Sequence, residues 1–362
     1  MPLSSTDTDT VPAWTFRLGR EKNVAARTPV IGGSNVYAVF YYDKKGFTES
    51  LLIAFDIETG VEQWRAVVDH VLNDPVLGPN GHIYVSSFSG SVLAYDAAGQ
   101  NLWESPSVGR NIGVACAAGK DRVVFGEIHG GGRRTWCLDA ATGAPLWEFD
   151  NGGHAKPLSA TDDLVIHCTT AGTPSGGYDH VLHALNVLDG SVRWSVKIAP
   201  WAFRSQIGGD RVFVGTREAL LVHDLGSGRE VAKLAFPANI EISGFRVADK
   251  SVFIADEDGV IRCLELTRKR ALLWTREKVG ERWSRRLAHK PVRDPLVLDG
   301  QIAVLDATGC IHFAAIDDGK PTGTLAMKAE GGTVGGLAAD QGYLAAALGR
   351  SIAVFKRPGI NA

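Results

Sequence analysis

Short runs of β-branched and aliphatic residues, bounded by Gly, Asp or Pro, recur along the whole chain. Asn35-Val36-Tyr37-Ala38-Val39 and Val123-Val124-Phe125 are two of them. Runs of this length at regular spacing predict strands, and no segment sustains the 3.6-residue apolar period of a long helix. Pro29, Pro75, Pro157 and Pro295 each stand just before an apolar pair. A strand tolerates proline there, because its first N–H need not join the ladder. The predicted class is all-β.

The strands are organised in repeats. Ala54-Phe55-Asp56-Ile57-Glu58-Thr59-Gly60, leading to Trp64, returns as Ala94-Tyr95-Asp96 with Trp103 and as Cys137-Leu138-Asp139 with Trp147. It returns again as Ala184-Leu185-Asn186 with Trp194 and as Val222-His223-Asp224 with Gly228. Weaker copies are Cys263-Leu264-Glu265 with Trp274, and Ala315-Ile316-Asp317 with Gly319. The acid-type positions 56, 96, 139, 186, 224, 265 and 317 lie 38 to 52 residues apart. That is close to the roughly 40–45 residues of one four-stranded propeller blade.

An eighth unit is split between the termini. Tyr343-Leu344-Ala345-Ala346 and Ser351-Ile352-Ala353-Val354-Phe355 lack a following Trp strand, whereas Ala13-Trp14-Thr15-Phe16 has no blade before it. Pairing the N-terminal strand into the last blade closes the ring and removes an exposed edge. The expectation is an eight-bladed β-propeller of four-stranded antiparallel blades over 12–358, with polar tails at 1–11 and 359–362.

The motif Asp-x-x-Thr-Gly-x-x-x-Trp, at Asp56 to Trp64 and Asp139 to Trp147, resembles the PQQ-like β-propeller repeat family over about Pro12 to Lys356. That family includes quinoprotein dehydrogenases and non-enzymatic BamB-like members, so the resemblance implies the fold more strongly than an activity. The paired cysteines of the quinone-binding dehydrogenases have no counterpart, since no two of the five cysteines are adjacent. No cofactor is expected, PQQ included.

Comparison of the copies with one another separates structural from functional positions. The residue two before the acid is Ala54, Ala94, Cys137, Ala184, Val222, Cys263 or Ala315, so Cys137 and Cys263 read as small hydrophobes. His223 is the outlier in a series of Phe, Tyr, Leu and Ile, and reads as a buried, bonded histidine.

Composition adds exclusions. The chain has 362 residues, is 45% apolar and 22% charged, and carries a net charge of −2. No global positive field draws it to nucleic acid, and no apolar run approaches the roughly 20 residues that span a bilayer. Cys116, Cys137, Cys168, Cys263 and Cys310 are spaced for neither a disulfide framework nor a metal site. Met1 to Val11 lack a basic stretch followed by an apolar one. The expectation is a cytoplasmic monomer with no metal and no membrane partner.

Strand parity locates the candidate site. The hairpins between second and third strands and the crossings between blades share one face, while the Asp-x-x-Thr-Gly turns share the other. Taken as a crossing, Trp274 to Pro295 is long and contains Arg282, Trp283, Arg285, Arg286, His289, Lys290 and Arg293. Other crossings offer Arg110, His154, Lys156, Trp201 and Arg204. The leading expectation is a non-catalytic scaffold that holds a protein partner on this loop face. The alternative is a lyase, hydrolase or cyclase with an anionic small molecule in the axial funnel. It would use Arg110, Lys156, Arg204, Arg285 and Arg286 with Trp201 and Trp283 to bind, and His154 or His289 as general acid or base.

Overall fold

The computed structural model describes residues 11–19, 21–44, 46–107, 112–113, 116–118, 120–127, 133–156, 158–173, 177–198, 202–236, 240–271, 274–291, 293–327 and 335–356. The tails, apart from Val11, and Pro157 lie outside them. The strands form eight antiparallel sheets with four positions each, from the innermost (A) to the outermost (D), position A being divided into two short strands in blades 1 and 4. In blade 1, strand A is broken into Lys22–Ala26 and Val30–Gly32, followed by Asn35–Lys44, Phe47–Asp56 and Glu62–Val68. Blade 8 takes its A, B and C strands from Gly335–Asp340, Tyr343–Leu348 and Ser351–Lys356. Its D strand is Trp14–Arg17, with Trp14 opposite Val354 and Phe16 opposite Ile352. Eight blades are thus closed into a ring by the N-terminal strand, as the repeats predict.

The apolar pattern has two forms because strands meet two environments. Strands B and C are covered on both faces by neighbouring blades, and Val36 to Phe40 and Leu51 to Phe55 are buried without a break. Strand D is covered on one face, so Glu62–Val68 alternates between exposed and half-buried positions.

Blades are locked together by a ladder of tryptophans. Each Trp near the start of strand D lies over the turn glycine of the next blade: Trp14 over Gly60, Trp64 over Gly99, Trp103 over Gly143, Trp147 over Gly190, Trp194 over Gly228 and Trp283 over Gly319. Each indole N–H donates to a carbonyl of the same turn, as in Trp64 to Ala97 at 2.9 Å and Trp147 to Val187 at 2.8 Å. These glycines have φ between 69° and 84°, and a Cβ would strike the indole. The turn therefore needs glycine for its backbone and for the space above it.

The ladder corrects two alignments. In blade 7, Gly319 N–H bonds to the Ala315 carbonyl as Gly60 N–H bonds to that of Asp56, so Ala315 rather than Asp317 holds the acid position. In blade 6, the docking residue is Trp283 rather than Trp274: it pairs with Cys263 and donates to Ile316 at 2.8 Å. The supposed crossing from Trp274 is the outer strand Trp274–Arg286, paired with Val260–Ala271 along its length. Here a long hairpin replaces the Asp-x-x-Thr-Gly turn.

That hairpin lies against blade 5, where strand D places Ala232 opposite Val222 instead of a tryptophan. Arg211 of blade 5 meets Glu277 of the hairpin through two bonds, and Arg268 reaches both Glu277 at 2.7 Å and Asp210 at 3.0 Å. Blade 7 also lacks a Trp, with Gly323 opposite Phe313. Blade 8 offers no C–D turn to dock on, since its D strand arrives from the other end of the chain.

Candidate functional site

The A strands carry their side chains towards the axis of the ring, and six charged residues meet there. Arg27 belongs to blade 1, Asp74 to blade 2, Arg204 to blade 5, Arg246 to blade 6, and Arg293 and Asp294 to the start of blade 7. Arg204 pairs with Asp294, and Arg293 lies 3.7 Å from Asp74. Blades 2 and 7 are three apart in the ring, so these contacts cross the axis.

The two carboxylates are committed. Asp294 accepts the Phe245 N–H at 3.1 Å with its other oxygen, and Asp74 accepts the Thr28 N–H at 3.2 Å. The arginines are held by their Nε groups: Arg27 donates to the Leu72 carbonyl at 3.0 Å and Arg246 to that of Pro295 at 3.1 Å. The Arg27 guanidinium also lies 4.8 Å from the centre of the Tyr41 ring and 5.9 Å from that of Phe88. Burial lowers the pKa of all three of Arg27, Arg204 and Arg246. For Arg204, burial and then the fields of Arg246 and Arg293 bring it down to about 10.

A second feature lies on the B–C hairpin face. A cavity of about 440 Å³ opens between blades 4, 5 and 6, with Lys156, His180 and Arg217 facing Glu241 and Glu257 beside Tyr178. The B–C hairpins of blades 1 and 4 prolong their strands: Leu164–Gly172 and Tyr178–Asn186 carry blade 4 outwards. Among the described residues, the exposed aromatics of this face are Phe47 (79% exposed), Tyr178 (62%) and Phe88 (36%), on hairpins of blades 1, 4 and 2. The large exposed apolar residues at the C–D turns and the first residues of the D strands, Val61, Leu102, Leu146, Leu188 and Val192, are all aliphatic.

The residues singled out by sequence are not brought together. Arg204 reaches the axis and Lys156 the side cavity, whereas Arg110 and Trp201 lie outside the described residues. Trp283 is buried under the blade 7 turn, on the opposite face from the crossings, and is a packing residue. Arg285 and Arg286 are exposed on an outer strand, opposite Ile261 and Val260. Three strand spacings, roughly 14 Å, separate that strand from the inner one, so their expected place in the funnel is corrected. His289 is exposed, and its backbone N–H points at Asp306 at 3.4 Å. His154 begins the inner strand of blade 4, opposite Thr170. Among the described residues no recorded contact joins either histidine to an axial arginine, and the histidine that shares a cavity with an arginine is His180, beside Arg217. Arg27, Arg246 and Arg293 were missed as a set because they are distant in sequence and meet only when the ring closes.

Comparison with known proteins places this geometry in context. The family profile described as "Outer membrane protein assembly factor BamB" matches residues 17–98 and 88–281. The curated BamB of Burkholderia pseudomallei is 25% identical over 349 residues, covering 90% of this chain and 82% of that protein. The BamB of Nitrosomonas eutropha is 27% identical over 188 residues, 52% of this chain and 42% of that protein. Among solved structures, BamB from Moraxella catarrhalis superposes with a TM-score of 0.68 at 17% identity, covering 97% of this chain and 99% of the other. Chaetomium thermophilum Sqt1, crystallised with the N-terminus of ribosomal protein L10, gives 0.75 at 13% identity, covering 97% and 100%. The curated relatives are outer membrane protein assembly factors, which overturns the expectation of a cytoplasmic protein. A polar leading segment was insufficient ground for that expectation.

Proposed function

Because the chain belongs to the BamB family of PQQ-like propellers, we propose that it is a non-catalytic scaffold in the assembly of outer membrane proteins. It holds a polypeptide partner on its B–C hairpin face. The observation that carries this reading is the placement of Phe47, Phe88 and Tyr178, all exposed and all on that face. A few residues carry most of the binding energy of a protein interface, and aromatics are enriched among them, since a rigid ring buries a large area at little entropic cost. The mixed charges of the cavity beside Tyr178 provide register rather than affinity. Sqt1 shares the fold and was crystallised with a polypeptide segment bound, which supports the use of such a ring as a peptide platform.

The test is photocrosslinking in the native host, with the crosslinker placed in turn at Phe47, Tyr178 and Leu188. The reading expects one shared protein adduct at Phe47 and Tyr178, and a recovery about tenfold lower after Phe47→Ala with Tyr178→Ala. Crosslinking confined to Leu188, on the C–D turn face, would refute it.

A further inference from the structure

We propose that the axis of the ring is a binding site for a small multivalent oxyanion, gripped by the guanidinium groups of Arg27, Arg246 and Arg293. This site is separate from the partner-binding face and does not depend on that reading.

The argument begins with charge. Four arginines and two aspartates meet at the axis, and both aspartates already accept bonds from within the protein. Among the described residues that meet there, two positive charges are therefore in excess in a half-buried place, where water screens them poorly. Donor capacity leads to the same conclusion. A guanidinium has five N–H donors in a planar fork. Arg27 and Arg246 each commit only Nε, to a carbonyl, and their terminal nitrogens have no acceptor among the described residues. Among the described residues Arg293 has one partner, the Asp74 carboxylate at 3.7 Å, beyond hydrogen-bonding distance. The Nε bonds and the Tyr41 ring hold the forks in place without occupying them.

The chemistry of the ligand follows from the forks. Planar guanidinium groups match the paired oxygens of carboxylate and phosphate, and do so with two parallel bonds each. The forks come from three blades, 1, 6 and 7, so a ligand that bridges them needs more than one pair of oxygens. A polycarboxylate or a phosphate ester satisfies this, whereas a single carboxylate neutralises only one of the two excess charges.

The experiment is calorimetric titration of the full chain with inorganic pyrophosphate, citrate and acetate at fixed ionic strength. It is repeated on Arg27→Gln, Arg246→Gln and, as a control on the outer strand, Arg285→Gln. The proposal expects saturable one-to-one binding of pyrophosphate, citrate or both, and weak binding of acetate. Affinity should fall by about tenfold or more in each axial variant, the scale of one charge-assisted bond, and stay unchanged in Arg285→Gln. Binding of pyrophosphate alone would make the natural ligand a phosphate, and of citrate alone a carboxylate. A measurement on the unmutated chain guards against misfolding: phenylglyoxal modification of Arg27 and Arg246, mapped by mass spectrometry, should be slowed by the bound anion. Absence of saturable binding, equal affinity in the axial variants and the control, or unprotected arginines would overturn the proposal.

Discussion

Arg211 of blade 5 holds Glu277 of the blade 6 hairpin in a two-pronged ion pair, with both side chains more than nine-tenths buried. This pair stands at the junction where the tryptophan ladder is interrupted by Ala232. Glu277→Gln removes the charge and leaves Arg211 with Asp210 and Asp224, at 3.0 and 2.9 Å. The expected cost is about 2 kcal/mol, since bonds to a charged group are lost but no charge is left alone. Urea unfolding measures the cost, and limited proteolysis should show cleavage within 260–286 before the rest of the ring.

The ladder itself makes a prediction about pairs. Gly190→Ala places a Cβ 2.7 Å from the Trp147 ring at φ +70°, and should destabilise by about 3 kcal/mol. Trp147→Ala should cost a similar amount through lost burial. The glycine substitution should cost less when Trp147 is already Ala, because the clash has gone and only the backbone strain remains. A double-mutant cycle by chemical denaturation gives this difference, and full additivity would contradict the ladder as the cause.

Acid stability should depend on a histidine pair in blade 4. His167 and His183 face each other across strands B and C with ring centres 5.3 Å apart. Burial pushes them down to about 3 and about 4, His183 also bonding Thr169 and Ser195. Both are neutral in the folded chain, while the unfolded chain protonates them near pH 6.5. Stability is therefore flat above about pH 6.5 and falls as the pH drops towards 4, by up to about 1.4 kcal/mol per pH unit for each ring. Neither ring nitrogen of His167 has a hydrogen-bond partner among the described residues. His167→Leu should reduce the slope between pH 6.5 and 5 by up to about 1.4 kcal/mol per pH unit and raise stability at pH 7, as read by denaturant midpoints across that range.

Thiol reactivity should follow burial. Burial raises Cys137 and Cys168 to about 12 and Cys263 to about 11, so the thiolate is scarce at neutral pH. These three should react with an aromatic disulfide reagent only on unfolding. Prompt labelling of any of them in the native protein, seen by mass spectrometry, would show that its blade opens locally.

Much of the architecture is legible in the chain because a propeller repeats one local solution. The Asp-x-x-Thr-Gly turn is a self-contained unit: Asp56 accepts the Thr59 N–H at 2.8 Å and its hydroxyl at 2.7 Å, and Asp139 does the same with Thr142. The repeat fails as a guide where a blade departs from it. Blade 6 has no turn glycine after Glu265, and the tryptophan nearest in sequence, Trp274, was mistaken for the docking one. Trp283, Arg285 and Arg286 accordingly lie on the outer strand Trp274–Arg286 and not in the crossing that the spacing predicts.

What the sequence determined by itself is the class, the number of blades and the closure of the ring. Strand periodicity, turn chemistry and the Trp–Gly spacing each act over less than one blade, and seven copies reinforce one another. Only the tertiary structure decided what the axis holds. Arg27, Asp74, Arg204, Arg246 and Arg293 occupy no common motif, and each sits on or beside the inner strand of a different blade. Closure brings them within reach of one another across the ring, and Coulomb forces, which depend on distance in space rather than along the chain, make them a single site.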